Sequence, residues 1–88
     1  MGSTASVILK VATPEYARVV IDVSDGRRYH ADLSSFKAVY CFPETAQKWQ
    51  AVSIDSYGLA LVWTTRFEVH IDQVMPLAHK IEGVQESA

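Results

Sequence analysis

The residues of this chain able to do chemistry are few: His30, His70 and His79, the carboxylates Asp22, Asp25, Asp32 and Asp55, the lone Cys41, and the doubled positive charge Arg27-Arg28. Imidazole is the side chain most often used as a proton carrier or metal ligand. No HxH or HxxxH spacing joins His30 to His70, which fall on different hairpins. They read as solvated strand histidines rather than metal ligands. Any two of the aspartates could in principle divide acid and base roles between them. Ion pairing for Asp22 and Asp32 and turn formation for Asp25 and Asp55 already account for them. A nucleophilic Cys41 requires a base and an electropositive setting, whereas Tyr40 and Phe42 beside it predict a small buried thiol. No GxSxG elbow, phosphate-binding glycine loop or CxxC pair is present. A phosphate contact at Arg27 and Arg28 is opposed by Asp22 and Asp25 close by. The sequence therefore assigns no catalytic, cofactor-binding or metal residue and calls for no cofactor.

With 88 residues the chain is sized for one domain. An apolar fraction of 49% with 20% charged residues describes a folded globule rather than a disordered segment. A net charge of −2 argues against a broad basic footprint, so this chain alone is not expected to bind nucleic acid. One cysteine excludes an internal disulfide. The opening Met-Gly-Ser-Thr-Ala lacks the basic and apolar regions of a signal peptide, and no run is long enough to span a bilayer. The expected setting is the cytoplasm, with no membrane partner.

The elements that must position these residues follow from alternation and turn chemistry. Val52 to Trp63 reads as a hairpin about Tyr57-Gly58, pairing Ile54 with Leu61 and Val52 with Trp63 on an apolar face. A third run, Phe67 to Ile71, follows Thr64-Thr65-Arg66. A two-residue loop there would set Trp63 against Glu68. Three residues instead pair Trp63 with Phe67 and Leu61 with Val69, which keeps the apolar face intact. That choice puts Arg66 in the left-handed position that favours glycine, either strained or avoided by a longer turn.

The first half has the same logic. Ser6 to Ala12 is expected as a strand with Val7, Leu9 and Val11 on one face and Ile8 and Lys10 on the other. Tyr16 to Val23 and Arg27 to Leu33 follow as two more. Counting Ser24-Asp25-Gly26 as a three-residue loop pairs Ile21 with Tyr29, Val19 with Ala31 and Ala17 with Leu33. It also matches Arg18 with Asp32 and Asp22 with Arg28 outside. Between the meanders, Ser34 or Ser35 caps a short helix carrying Phe36, Val39 and Tyr40. Pro43 ends it and begins a second turn over Glu44 to Trp49. Asp72 is expected to cap a turn holding Val74 and Met75. Pro76 interrupts it, and Leu77 to Ile81 continues as a weak helix.

The predicted fold class is α+β: two antiparallel β-meanders of about six strands, one or two short helices between them covering one face, and a C-terminal helical turn. Residues 1–5 are expected to be disordered, 6–76 to form the domain, and 77–88 to make a weakly ordered tail, fraying from Gly83 to Ala88. Trp49, Trp63, Phe36 and Phe67 fall at core positions, and Tyr16 and Tyr57 near exposed turns.

In order and spacing, Pro14-Glu15-Tyr16, Asp25-Gly26, Asp32-Leu33, Trp49, Val52, Ile54, Asp55, Gly58, Trp63, Asp72 and Met75 resemble an uncharacterised bacterial family, number 2442 of the domains of unknown function. The match runs from about Val11 to Met75. The resemblance implies a compact α+β domain, in some members fused to a helix-turn-helix domain or encoded beside small partners of toxin-antitoxin type. It implies no catalytic residues. Arg66 departs from the glycine usual there, and the chain is too short to hold a fused helix-turn-helix domain.

The leading functional expectation is a non-enzymatic protein-interaction module acting through an unknown protein partner or by self-association, through the outer sheet face or an open strand edge. The alternatives are an accessory to a toxin-antitoxin or transcription system, and an enzyme with an unrecognised site.

Overall fold

The loop Ser24-Asp25-Gly26 holds Ile21 opposite Tyr29 and Val19 opposite Ala31, with Gly26 in the left-handed region at φ 86°. These pairings belong to a computed structural model that describes residues 6–81. It has an α+β fold of two antiparallel sheets. The first contains β1 (Ile8–Ala12), β2 (Arg18–Val23), β3 (Arg28–Asp32) and β7 (Ala78–Lys80), in the order β1-β2-β3-β7. The second contains β4 (Val52–Ile54), β5 (Ala60–Trp63) and β6 (Glu68–His70) in sequence order. Two short helices, α1 (Ala46–Gln50) and α2 (Ile71–Val74), and two single turns of 3-10 helix, Ser34–Phe36 and Met75–Leu77, connect them.

Both meanders take the registers that keep bulky side chains together. Val52 faces Trp63, Ile54 faces Leu61 and Leu61 faces Val69. The Trp63 N–H donates to Phe67 across the three-residue loop. Arg66 occupies the left-handed position at φ 76°, so the strained alternative is the one realised. At the Tyr57-Gly58 hairpin the register is as expected, but the ladder opens earlier. Gly58 N–H donates to the Asp55 carbonyl at 3.0 Å, and the Asp55 carboxylate takes the Leu59 N–H at 2.8 Å, which widens the loop.

Five expectations are corrected. A bulge between Ile8 and Lys10 breaks the alternation of β1. Ile8 is therefore buried and Leu9 is 59% exposed, the reverse of the simple alternation, because one extra residue exchanges the faces. The segment after Leu33 is a single 3-10 turn and not a helix reaching Tyr40. Asp32 Oδ1 accepts the Ser34 N–H at 2.9 Å in place of a serine cap. The second connector helix begins later than expected, at Ala46, with Thr45 Oγ1 accepting the Lys48 N–H. Near the end, His70 rather than Asp72 caps α2: its Nδ1 accepts the Asp72 N–H while Gln73 Oε1 accepts the His70 N–H. Finally, Ala78–Lys80 is a strand on the β3 edge, not a helix. Of the expected tail, this part joins the sheet. The expectations for residues 1–5 and 82–88 lie outside the described residues.

The core draws on both sheets and the connector. Ile8, Ala17, Val19, Ile21, Val23, Ala31 and Leu33 from the first half meet Leu61, Trp63, Phe67, Val69, Ile71 and Val74 from the second. Fully burying each of the larger aliphatic side chains is worth roughly 1.5–3 kcal/mol. Trp49 of α1 stacks on Trp63 with ring centroids 4.6 Å apart and on Phe42 at 5.3 Å. Its indole N–H donates to the Arg18 carbonyl at 2.9 Å, and its own carbonyl accepts the Trp63 indole N–H at 2.7 Å. One side chain thus ties β2, α1 and β5 together. Phe36, also expected in the core, is only partly buried against it.

Candidate interaction surface

The outward face of the four-stranded sheet is organised in cross-strand rows. Lys10, Asp22 and Arg28 form one row, with Arg28 Nε donating to Asp22 at 2.7 Å. Ala12, Val20, His30 and His79 form the next, and Arg18 and Asp32 a third, paired at 3.7 Å. Opposite charges facing each other across strands reinforce register, but exposed pairs of this kind contribute only about 0.2–1 kcal/mol each.

At one end of this face lies a shallow groove of about 640 Å³. Exposed Leu9 on the β1 bulge and Ile81 just beyond β7 flank it, the Asp22–Arg28 pair forms part of its lining, and Val23, Gly26, Arg27 and Lys80 complete it. The Ile81 N–H donates to the Arg28 carbonyl, which continues the β3–β7 ladder to the groove. A second apolar surface lies on the connector, where Tyr40 is 97% exposed and Val39 is exposed beside it. The apolar spacing of Phe36, Val39 and Tyr40 that suggests a helix stripe thus leaves two of its three members facing outward.

Sheet edges are less open than alternation alone implies. β1 runs beside β4, and the Ile8 N–H donates to the Gly58 carbonyl at 2.7 Å. β6 passes directly into the capped α2, and β7 has only three residues. Short or covered edges are how sheets avoid indiscriminate pairing.

The carboxylates are engaged as structural groups. Asp25 Oδ1 accepts the Arg27 N–H and Oδ2 the Tyr29 hydroxyl, both at 2.8 Å. The hydrogen bond from Arg28 holds the Asp22 carboxyl below its ordinary value, that from Tyr29 does the same for Asp25, and the Ser34 backbone N–H does so for Asp32. Because folding lowers these values, their stabilisation is fully present above the unfolded carboxylate range, about pH 3.9. It is lost as pH falls through the folded values. Urea unfolding followed from pH 5 downward is therefore expected to show a midpoint that drops below about pH 4, and Asp25→Asn should make the drop shallower. An identical acid slope in the variant would count against this account.

Cys41 is half-buried rather than fully buried, since Phe42 and Pro43 take the interior positions. Its carbonyl accepts the Thr65 hydroxyl at 2.7 Å. Tyr57 is exposed as expected. Tyr16 is half-buried, its hydroxyl donating to the Pro43 carbonyl at 2.6 Å and Lys37 standing 5.2 Å over its ring. His70 lies apart from the other two histidines as a helix cap, whereas the structure brings His30 directly opposite His79. Among the described residues no group of three or more His, Cys, Asp or Glu could hold a metal ion, and no helix is long and apolar enough to cross a membrane.

Comparison with family models, curated proteins and solved structures finds no match to this chain.

Proposed function

We propose that this chain is a non-enzymatic interaction module of the cytoplasm, acting through a protein partner or by self-association. The observation that carries the reading is the groove flanked by Leu9 and Ile81 and lined by Arg27, Arg28 and Lys80. Exposed apolar side chains beside the Asp22–Arg28 pair suit a protein segment offering an apolar residue within a polar rim. The engagement of Asp22, Asp25 and Asp32 in ion pairs and turns supports a non-catalytic role. An accessory role beside a small partner is the second reading, motivated only by the resemblance of these residues to the uncharacterised family.

Sedimentation velocity, together with affinity capture from native lysate, tests the proposal. The wild-type chain is expected to self-associate or to retain a partner reproducibly. Leu9→Asp should weaken that association about tenfold or more, the scale of a central contact in an interface. Gln47→Glu, on the exposed side of α1, should leave it unchanged. A monomer that captures nothing, or an association indifferent to Leu9→Asp, overturns the assignment of this surface.

A further inference from the structure

The strand made by Ala78–Lys80 creates a constellation that the order of residues along the chain conceals. His30 of β3 and His79 of β7 are direct cross-strand partners. The hydrogen bond from the Ile81 N–H to the Arg28 carbonyl marks residues 28 and 81 as a hydrogen-bonded pair. Two positions along, His30 and His79 are therefore also such a pair, with Cα atoms about 5.5 Å apart and both side chains on the same face. That face is the outer one, because Ala31 beside His30 is fully buried. On its other side His30 has Val20 of β2 as its cross-strand neighbour, so the open approach to its ring is from β7.

We propose that His30 and His79 form a two-histidine platform for a divalent transition-metal ion of the class that prefers imidazole, such as Zn²⁺, Ni²⁺ or Cu²⁺. Neutral imidazoles bind zinc at about 2.0–2.1 Å, and two rings rising from adjacent strands can converge on one ion. Water or a ligand from another molecule fills the remaining coordination positions. The local charge is favourable, since Arg18 is paired with Asp32 and Arg28 with Asp22.

Zn²⁺ titrated into the full chain, with the histidine ring protons followed by NMR, tests the site. The His30 and His79 signals should move together and saturate at one ion per chain, without His70 following the same curve. Either His79→Asn or His30→Asn should weaken binding at least about tenfold, because a direct ligand counts for no less than the outer-shell partners whose loss weakens metal sites 10–100-fold. Circular dichroism checks that each variant folds, and His79, exposed on an edge strand, is the substitution least able to disturb the sheet. Absence of saturable binding, movement of His79 without His30, or unchanged affinity in His79→Asn overturns the proposal.

Discussion

Trp49→Ala is expected to remove a large share of the stability of this domain. The side chain is fully buried, stacked between Trp63 and Phe42, and its indole N–H is the hydrogen-bond partner of the Arg18 carbonyl. Truncating a buried tryptophan costs about 3–5 kcal/mol through lost burial and the cavity left behind. A chain of this length has a total stability of only about 4–13 kcal/mol. Trp49→Phe separates the two contributions: it keeps much of the ring volume but leaves the Arg18 carbonyl without its donor, a loss of about 1–3 kcal/mol. Equilibrium urea unfolding by circular dichroism reads both. A loss below about 1.5 kcal/mol for the alanine variant would mean that the aromatic stack does not hold the two sheets together.

Gly58→Ala should be markedly worse than Gly26→Ala, although both glycines lie at positive φ, 72° and 86°. A side chain in the left-handed region costs roughly 1–2 kcal/mol at either site. At Gly26 an added methyl meets nothing within 4 Å. At Gly58 it would stand 2.9 Å from Val7 Cβ and 3.2 Å from the Ile8 carbonyl oxygen. Overpacking of that kind adds about 1–3 kcal/mol. The benefit of alanine in restricting the unfolded chain applies to both and cancels in the difference. Denaturant midpoints for the two variants measure how closely the β4–β5 turn presses on β1, and equal losses would contradict that approach.

The registers were legible because two independent signals agreed on them. Odd-numbered loops were the only choice that kept Ile21, Val19, Trp63 and Leu61 opposite apolar partners, and Gly26 fitted the left-handed position that such a loop requires. Other features lacked a local sign. The bulge in β1 interrupts a stretch whose alternation is regular on paper, so Leu9 and Ile8 exchange faces without any glycine to announce it. His70 is not among the usual capping residues, and Asp72 is, so the cap of α2 was displaced by two positions. Ala78-His79-Lys80 has little intrinsic strand preference. It becomes a strand because β3 offers an unpaired edge, a tertiary effect that local composition does not encode. For that reason the His30–His79 pair could not be found from spacing. The groove was equally hidden, since it needs the bulge at Leu9 and the arrival of Ile81 together.

The late arrival of β7 also bears on how the chain matures. Most neighbouring strands here are linked by short turns, but β3 receives its second partner from a segment more than forty residues downstream. During synthesis the backbone groups on that side of β3 have no strand partner after the first meander has formed. A product truncated before Ala78 keeps them so permanently. An unpaired strand flank of this kind invites pairing between separate nascent chains. The closing strand is short, yet it covers one of the two edges that the first three strands leave open.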